Sequence, residues 1–380
     1  MKIGMVCYPS FGGSGVVATE LGTALAQRGH LVHFVSYDPP ARFRCCAERV
    51  SFHEVTISSY PLFRYPPYLL AMASRLAEVA ENEDLDLIHV HYAIPHTISA
   101  CLAREITGRR RMPVVTTLHG TDVTIVGREP EYFRVVQFAL RDSDGVTAVS
   151  ASLARETTDT FGFDGHIEVV PNFVDHEIYR RMRPSDLRGF VRSPGEAVLA
   201  HVSNMRPVKN VPDVVRVFAR VAAEMPARLL LVGDGPELCG VRRLAKQLGV
   251  ADRVKYLGET PAIPRVLSCA DLFLLPSSQE SFGLSALEAM ACGVPVLATR
   301  AGGIPEVVED GATGTLCEVG DVEAMAEGAL SILRDPQRRE RMAAAGRRRV
   351  VDNFTVEHVV PLYESYYERV LDAKMSHASD

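Results

Sequence analysis

The chain lacks the sequence features of membrane, exported and nucleic-acid-binding proteins. No apolar run approaches the ~18 residues that a membrane-spanning helix needs. The first residues have the pattern of a strand with one lysine rather than that of a cleavable leader, so export is not expected. The net charge is −6 over 380 residues, so no domain-wide basic field favours nucleic acid. We therefore expect neither a membrane nor a nucleic acid as a partner.

Paired cysteine motifs are also missing. The eight cysteines are scattered along the chain, and no C-x-x-C motif occurs. In a chain of this length, scattered cysteines are typical of reduced and mostly buried thiols in a cytosolic protein. Only Cys45 and Cys46 are adjacent to each other. A cytoplasmic location is therefore expected.

The apolar segments form two series in which strand-like runs alternate with segments of helical period. The first series contains Lys2–Cys7, Leu31–Ser36, Leu87–His91, Val114–Leu118 and Gly145–Val149. The second contains Val198–Ser203, Arg228–Val232, Arg253–Leu257, Asp271–Leu275 and Pro295–Thr299. Such alternation is typical of doubly wound parallel sheets. The sequence predicts an α/β fold with one Rossmann-like domain over residues 1–172, joined by a C-terminal helix over about 356–380, and a second over 173–355.

Polar residues follow the predicted strands of the first domain. The loop Gly12–Gly15 leads from a strand into a helix, where exposed N–H groups favour an anion. A simple tight turn explains this loop equally well. His119 and Asp122 follow the strand Val114–Leu118, at the carboxyl edge where open α/β sheets bind ligands. We therefore treat His119 and Asp122 as candidate site residues.

A metal site in the first domain is disfavoured. His89, His91 and His96 lie around Tyr92 after another strand, but no carboxylate-rich pattern or H-x-x-x-H helix accompanies them. No D-x-D motif follows a predicted strand in either domain. The sequence therefore predicts a reaction that needs no metal ion and no other cofactor.

The loop after the first strand of the second domain carries two cations. Arg206 and Lys209 are three residues apart, and this placement suits a diphosphate, which arginine binds in a bidentate manner and lysine as a point charge. A basic surface loop is the alternative. Asn204 and Pro207 stiffen the loop at the sheet edge, which favours a binding site.

A second anion site is predicted after the strand Asp271–Leu275. The segment Gly283–Cys292 has a helical pattern, so the N–H groups at its start form a phosphate site. Glu280 and Glu288 lie on either side of that helix start, where they suit sugar hydroxyl groups better than a phosphate. Interaction with the helix dipole alone is the other explanation for the two glutamates.

These motifs carry a family resemblance. E-S-F-G-L-x-x-x-E at Glu280–Glu288 is followed by A-M-A-C-G-V-P-V and then by G-G-I-P-E at Gly302–Glu306. This part of the chain resembles the retaining GT-B glycosyltransferases of family 4. Met205, Pro207 and the pair Ser285-Ala286 depart from the pattern of that family but leave its charged positions intact.

The first half resembles one subgroup of that family. The matching motifs are C-Y-P-S at Cys7–Ser10, G-G-S-G-V-V-A-T-E-L at Gly12–Leu21, H-V-H-Y-A-I-P-H at His89–His96 and T-T-L-H-G-T-D at Thr116–Asp122. Members of this subgroup transfer N-acetylglucosamine from UDP-N-acetylglucosamine to L-malate in bacillithiol biosynthesis. The resemblance implies two Rossmann-like domains facing a central cleft, transfer with retention, no metal cofactor and a homodimer.

The resemblance also implies roles for individual residues. Those implied in catalysis are His119, Arg206, Lys209 and Glu280. Those implied in donor binding are Gly13, Asp122, Arg206, Lys209, Glu280, Phe282, Gly283, Leu284 and Glu288. Those implied in acceptor binding are Ser14, Tyr92, Thr116 and Asn204. Two alternatives stay open: a family 4 transferase with another acceptor, such as inositol phosphate or a lipid, and a non-catalytic sugar-nucleotide sensor.

Overall fold

The computed structural model describes residues 1–9, 12–43, 48–58, 61–182 and 195–376. The chain forms two compact units, one of residues 1–172 with 356–380 and the other of residues 173–355. Each unit contains one parallel β-sheet with helices in the crossover connections. The predicted α/β class with two Rossmann-like domains is confirmed.

The sheet of the first unit has seven strands in the order β3-β2-β1-β4-β5-β6-β7. They are β1 (Lys2–Val6), β2 (Leu31–Ser36), β3 (Val50–Glu54), β4 (Leu87–His91), β5 (Val114–Leu118), β6 (Gly145–Ala148) and β7 (Ile167–Val169). Its helices are α1 (Gly13–Gln27), α2 (Tyr68–Asn82), α3 (Ile98–Ile106), α4 (Pro130–Asp142) and α5 (Ala151–Phe161). The strand order reverses between β1 and β4, and the carboxyl ends of these two strands mark the switch point where such sheets bind ligands.

The sheet of the second unit has six strands in the order β10-β9-β8-β11-β12-β13. They are β8 (Ala197–Val202), β9 (Ala227–Val232), β10 (Val254–Tyr256), β11 (Leu272–Leu275), β12 (Val296–Thr299) and β13 (Gly314–Cys317). Its helices are α6 (Val211–Glu224), α7 (Leu238–Gln247), α8 (Ile263–Leu267), α9 (Leu284–Ala291), α10 (Ile304–Val307), α11 (Val322–Arg334) and α12 (Pro336–Asn353). Here the order reverses between β8 and β11, so the loops after these two strands meet at the switch point.

Both sheets form around central strands that are buried along almost their whole length. β4 and β5 are buried at every residue, as expected for parallel strands that are covered on both faces. In the second unit, Val214, Val217, Phe218 and Val221 lie on one face of α6 and pack into the core around β8 and β9. The sequence pattern did not indicate β3, β7 or β13, which are short strands at the edges of the two sheets.

The last helix, α13 (Val356–Ser376), packs on the first unit. Tyr367 is fully buried, and its hydroxyl group lies 2.7 Å from Nδ1 of His89 on β4. The Tyr366 hydroxyl donates to the carbonyl oxygen of Val146 on β6 at 3.1 Å. These buried tyrosine contacts stabilise the return of the chain to its first unit.

The structure also describes the state of most cysteines and the hydropathy of the helices. Cys45 and Cys46 lie outside the described residues. The other six cysteines, Cys7, Cys101, Cys239, Cys269, Cys292 and Cys317, are free thiols. Across the described ranges, we find no helix with the length and hydropathy required to traverse a bilayer.

Candidate active site

The first part of the candidate site lies at the switch point of the first unit. β1 ends at Val6, and α1 begins at Gly13 after an N-cap glycine, Gly12, which has no side chain to cap the first N–H groups. The Ser14 hydroxyl donates to the hydroxyl oxygen of Tyr92 at 3.3 Å, which connects α1 to the residue that follows β4. The structure therefore brings together three predicted site residues, Gly13, Ser14 and Tyr92.

Tyr92 and His119 are neighbours at the same sheet edge. Tyr92 has a φ of 92°, and its N–H donates to the carbonyl oxygen of Thr117 on β5 at 3.0 Å. The ring centroids of Tyr92 and His119 are 5.5 Å apart. The predicted acceptor residue Tyr92 and the predicted catalytic residue His119 therefore lie on adjacent loops.

Asp122 holds these two loops together. Its side chain is only 1% exposed. Oδ2 accepts the N–H of Ala93 at 2.9 Å, and Oδ1 accepts the N–H groups of Gly120 at 2.9 Å and His119 at 3.3 Å. The pKa of Asp122 is raised to about 6, because burial raises it by more than these hydrogen bonds lower it. Asp122 is thus a positioning residue for His119, and its contact with the donor stays a prediction.

Thr116 does not face the sheet edge. It is fully buried in β5, and its hydroxyl lies 2.9 Å from that of Thr97 and 2.8 Å from that of Ser143. These contacts join β5 to the residue before α3 and to the residue after α4. The direct contact between Thr116 and the acceptor therefore stays a prediction, and the described contacts are internal.

A row of buried histidines lies behind His119. His91 Nδ1 is 2.7 Å from His119 Nε2, so one ring donates and the other accepts. His89 Nε2 is 2.6 Å from the Thr117 hydroxyl. Burial lowers the pKa of His89 and His119 to about 3, and the pKa of His91 well below its usual value. All three imidazoles are therefore neutral near pH 7, and His119 is suited to hydrogen bonding rather than to charge stabilisation.

The neutral histidines predict a fold that weakens in mild acid. Unfolded histidines take up protons below about pH 6.5, whereas His89 and His119 stay neutral until about pH 3 in the folded chain. The free energy of unfolding is therefore unaffected by these histidines above about pH 6.5. Below that pH it falls by up to about 1.4 kcal/mol per pH unit for each histidine. The raised pKa of Asp122 acts in the opposite direction below about pH 6. One such group does not offset three histidines.

Urea unfolding followed by circular dichroism at about pH 7 and about pH 5.5 measures this effect. We expect a free energy of unfolding that is lower by several kcal/mol at the lower pH. An unchanged value would contradict the neutral state of the histidine row.

His96 belongs to the same region but has its own partners. Its Nδ1 donates to the carbonyl oxygen of His91 at 2.7 Å, and its Nε2 accepts the hydroxyl of Tyr68 at 3.2 Å. Both ring nitrogens are therefore occupied by protein groups. In the part of the chain that the structure describes, the side chains close enough to share a metal ion are those of His33, His53 and Glu83 instead.

The second unit carries the predicted diphosphate residues at its own switch point. Lys209 follows β8 and Glu280 follows β11, and Lys209 Nζ lies 2.6 Å from Glu280 Oε2. Ser277 also donates to Glu280 Oε2 at 3.4 Å. Arg206 and Asn204 are exposed on the same loop as Lys209, and among the described residues no ion pair engages the Arg206 guanidinium. A cation is therefore available for an anionic ligand.

A buried histidine that sequence reasoning missed supports this loop. His201 on β8 donates from Nδ1 to the carbonyl oxygen of Leu274 at 2.8 Å, and its Nε2 accepts the Ser203 hydroxyl at 2.7 Å. Burial lowers the pKa of His201 to about 4. Met205 has a φ of 42° and a fully buried side chain. The buried Met205 side chain anchors the loop and leaves the neighbouring Arg206 exposed.

Glycines let two further loops approach these site loops. A Cβ on Gly302 would lie 2.0 Å from the carbonyl oxygen of Glu280, and one on Gly235 would lie 2.0 Å from that of Asn204. Gly302 also has a φ of 53°, so a larger residue there would displace the Glu280 loop. The run Gly233-Asp234-Gly235 was missed at the sequence level, although its position directly after β9 is a usable signal.

The start of α9 differs slightly from its prediction. The helix begins at Leu284, and Gly283 is its N-cap with a φ of 97°. Phe282 is buried, with its ring 5.9 Å from that of Phe354, so only the backbone of Phe282 is placed to meet a ligand. Glu288 is buried within α9. The donor-binding roles of these four residues stay predictions.

Comparison with known proteins assigns the chain to a family. The family described as Glycosyltransferase Family 4 matches residues 11–178, and the one described as Glycosyl transferases group 1 matches residues 183–349. The chain is also 48% identical, over 98% of its length and 97% of the relative's, to the N-acetyl-alpha-D-glucosaminyl L-malate synthase of Bacillus anthracis. This chain belongs to glycosyltransferase family 4. The enzyme class and the resemblance stated from the motifs are thereby confirmed.

More distant relatives and solved structures also match most of this glycosyltransferase. It is 32% identical to the D-inositol 3-phosphate glycosyltransferase of Nocardia farcinica, over 87% of this chain and 79% of that one. The crystal structure of Anabaena HepE in complex with UDP and glucose matches with a TM-score of 0.81 at 23% identity, covering 97% of this chain and 99% of that one. Sucrose-phosphate synthase from Thermosynechococcus elongatus also gives 0.81, at 22% identity, covering 98% and 100%. These two structural matches show the fold alone.

Proposed function

We propose that this glycosyltransferase transfers N-acetylglucosamine from UDP-N-acetylglucosamine to the hydroxyl group of L-malate. The products would be UDP and N-acetylglucosaminyl malate with the anomeric configuration retained, as the first step of bacillithiol biosynthesis. The observation that carries this proposal is the 48% identity to the Bacillus anthracis synthase over 98% of the chain.

The second unit would bind the donor. Arg206 and Lys209 supply positive charge, and the first N–H groups of α9, which have no acceptor within the helix, supply hydrogen-bond donors for the diphosphate. Negative charge grows on the diphosphate as the glycosidic bond breaks, so groups that stabilise it lower the barrier. Glu280 would accept hydrogen bonds from the sugar hydroxyls, and Glu288 from the ribose hydroxyls.

The first unit would bind the acceptor. L-Malate carries two carboxylates, which suit the N–H groups at the start of α1 together with the hydroxyls of Ser14 and Tyr92. Thr116 of this unit and Asn204 of the second unit remain further candidates for this contact. The malate hydroxyl would attack the anomeric carbon, and the departing phosphate oxygen would take the hydroxyl proton as the bond to UDP breaks.

Retention without a protein nucleophile is part of the proposal. A retaining glycosidase holds a carboxylate ready to form a covalent glycosyl intermediate. Here both oxygens of Asp122 accept backbone N–H groups, and Glu280 is paired with Lys209. Commitment of both carboxylates to other partners supports front-face attack by the acceptor. We also propose that the reaction needs no metal ion.

Release of UDP from UDP-N-acetylglucosamine tests the whole proposal. Purified protein is assayed with L-malate, with inositol 3-phosphate and with neither, each with and without EDTA. We expect release that depends on malate and is unaffected by EDTA, and a product whose anomeric proton has the NMR coupling of an α-glycoside.

Each other outcome has a definite meaning. Release that depends on inositol 3-phosphate would replace the acceptor with that of the Nocardia relative. Binding of the sugar nucleotide without any turnover would favour a sensor. Loss of activity in EDTA that Mg²⁺ or Mn²⁺ restores would contradict the metal-independent reaction.

We further propose that the protein is a cytoplasmic homodimer. The six described cysteines are free thiols, which suits a reducing compartment. Tyr132, Val135 and Phe138 are spaced by three residues on α4 and are 47%, 37% and 51% exposed, so they form an apolar stripe on one helix face. Such a stripe suits a second copy of the chain.

Light scattering during gel filtration tests the homodimer. We expect the mass of a dimer for the unmodified protein and that of a monomer for Phe138→Glu, because a buried charge disfavours the interface. Leu248→Glu, at an apolar position of the second unit that is 42% exposed, is the matched control and should leave the dimer intact. A monomer at every concentration would refute the dimer.

A further inference from the structure

Two histidines and a glutamate lie together on β2, β3 and the end of α2, outside the site described above. In the parallel register of β2 and β3, His33 pairs with Ser51 and Val35 pairs with His53. Because side chains alternate between the two faces of a sheet, His33 and His53 share one face. Glu83 is the C-cap residue of α2. The fold thus brings together three ligating side chains that are far apart in the sequence.

The distances among these side chains suit a small metal ion. His33 Nδ1 lies 3.1 Å from His53 Nε2, and the ligand atoms of His33, His53 and Glu83 all lie within 4.8 Å of one another. Around a tetrahedral zinc ion with bonds of about 2.0–2.1 Å, neighbouring ligand atoms are about 3.4 Å apart. Small side-chain rotations would therefore bring all three onto one ion, with a water molecule in the fourth position.

Burial and charge around the cluster also favour a cation. His33 is only 5% exposed, and His53 and Glu83 are half-buried. The Glu83 carboxylate supplies negative charge.

The charged neighbours of the cluster are of both signs. Lys2 lies near His33, and Arg75 and Glu78 lie near His53. Arg75 is paired with Glu78 at 2.7 Å, which reduces its repulsion of a cation. Lys2 is the remaining positive neighbour, so the net charge close to the three ligands does not oppose binding.

We propose that His33 Nδ1, His53 Nε2 and the Glu83 carboxylate bind one zinc ion. Two imidazoles and one carboxylate form a ligand set that suits Zn²⁺ better than the oxygen-seeking ions Mg²⁺ and Ca²⁺. The site lies on the two strands beyond β1 at one edge of the sheet. The ion therefore joins the edge strand β3 to β2 and to α2.

Metal titration of the full chain without a histidine tag tests this site. Protein stripped with a chelator and dialysed is titrated with Zn²⁺ against a coloured competing chelator, and separately with Co²⁺, whose visible absorption reports tetrahedral coordination. We expect one ion per chain. In His53→Ala and Glu83→Gln the affinity should fall by about 100-fold or more, because each removes one of three protein ligands.

His166→Ala is the matched control, because His166 is an exposed histidine of the same unit that pairs with Glu168. It should bind the ion like the unmodified chain. Glu83→Gln keeps the size of the side chain, so it tests the site even if His53→Ala fails to fold. Circular dichroism checks the folding of both variants. Absence of saturable binding, or equal affinity in the unmodified, His53→Ala and Glu83→Gln chains, would overturn the proposal. The readout does not depend on the proposed glycosyl transfer.

Discussion

Replacing Lys209 by alanine is expected to lower kcat for UDP release by about 10²–10³-fold. Lys209 Nζ lies 2.6 Å from Glu280 Oε2 at the switch point of the second unit, beside the exposed Arg206. Charge on the leaving diphosphate grows in the transition state, so a lost cation raises the barrier more than it weakens ground-state binding. The variant also leaves Glu280 without its cation. We therefore expect kcat to fall much more than KM for the donor rises.

Steady-state kinetics with varied UDP-N-acetylglucosamine separates these two effects. Lys246→Ala, which removes an exposed lysine at the end of α7, is the matched control and should leave both constants unchanged. Lys209→Arg keeps the charge with a different shape and should retain part of the activity. A Lys209→Ala enzyme with normal kcat would show that Lys209 does not stabilise the leaving group.

Replacing Asp122 by alanine is expected to lower the free energy of unfolding by about 3 kcal/mol, because buried donors are left without an acceptor. The carboxylate accepts the N–H groups of Ala93, Gly120 and His119, and these donors belong to the loops after β4 and β5. Loss of this acceptor should also leave the backbone of His119 less firmly held in its position. The variant should therefore be less stable and less active.

Urea unfolding at about pH 7 measures the stability of this variant against Asp164→Ala, which removes an exposed carboxylate of the same unit. The control should change stability by less than about 0.5 kcal/mol. Asp122→Asn keeps the shape but has only one oxygen acceptor, so its stability should lie between those of Asp122→Ala and the unmodified chain. Equal stability of Asp122→Ala and the unmodified chain would contradict the role of Asp122 as a loop clamp.

Much of the fold was predictable because central parallel strands carry a local signal. Runs such as Arg228–Val232 and Asp271–Leu275 are apolar at every position after the first, so they stand out without any tertiary information. The edge strand Val50–Glu54 contains serine, histidine and glutamate and has one partner strand. Its pattern resembles that of a loop, and only pairing with β2 makes it a strand.

Within the site, motif position was predictable but side-chain pairing was not. The placement of Arg206, Lys209 and Glu280 at strand ends follows from the sequence, because loops after parallel strands lie at one sheet edge. By contrast, the contact between Asp122 and Ala93 joins residues 29 positions apart, and the Thr116 hydroxyl meets those of Thr97 and Ser143 on other segments. Such contacts depend on how helices, strands and loops pack against one another, and a local sequence pattern does not predict that packing.

The sequence by itself determined the two alternating α/β series, the family and the sheet edges that carry the site motifs. These features follow from local periodicity and from side-chain types at strand ends. Only the tertiary structure decided that Asp122 clamps two loops, that Lys209 pairs with Glu280, and that His33 and His53 meet Glu83. Each of these contacts joins residues on different elements, and their distances depend on strand register and on burial rather than on neighbours along the chain.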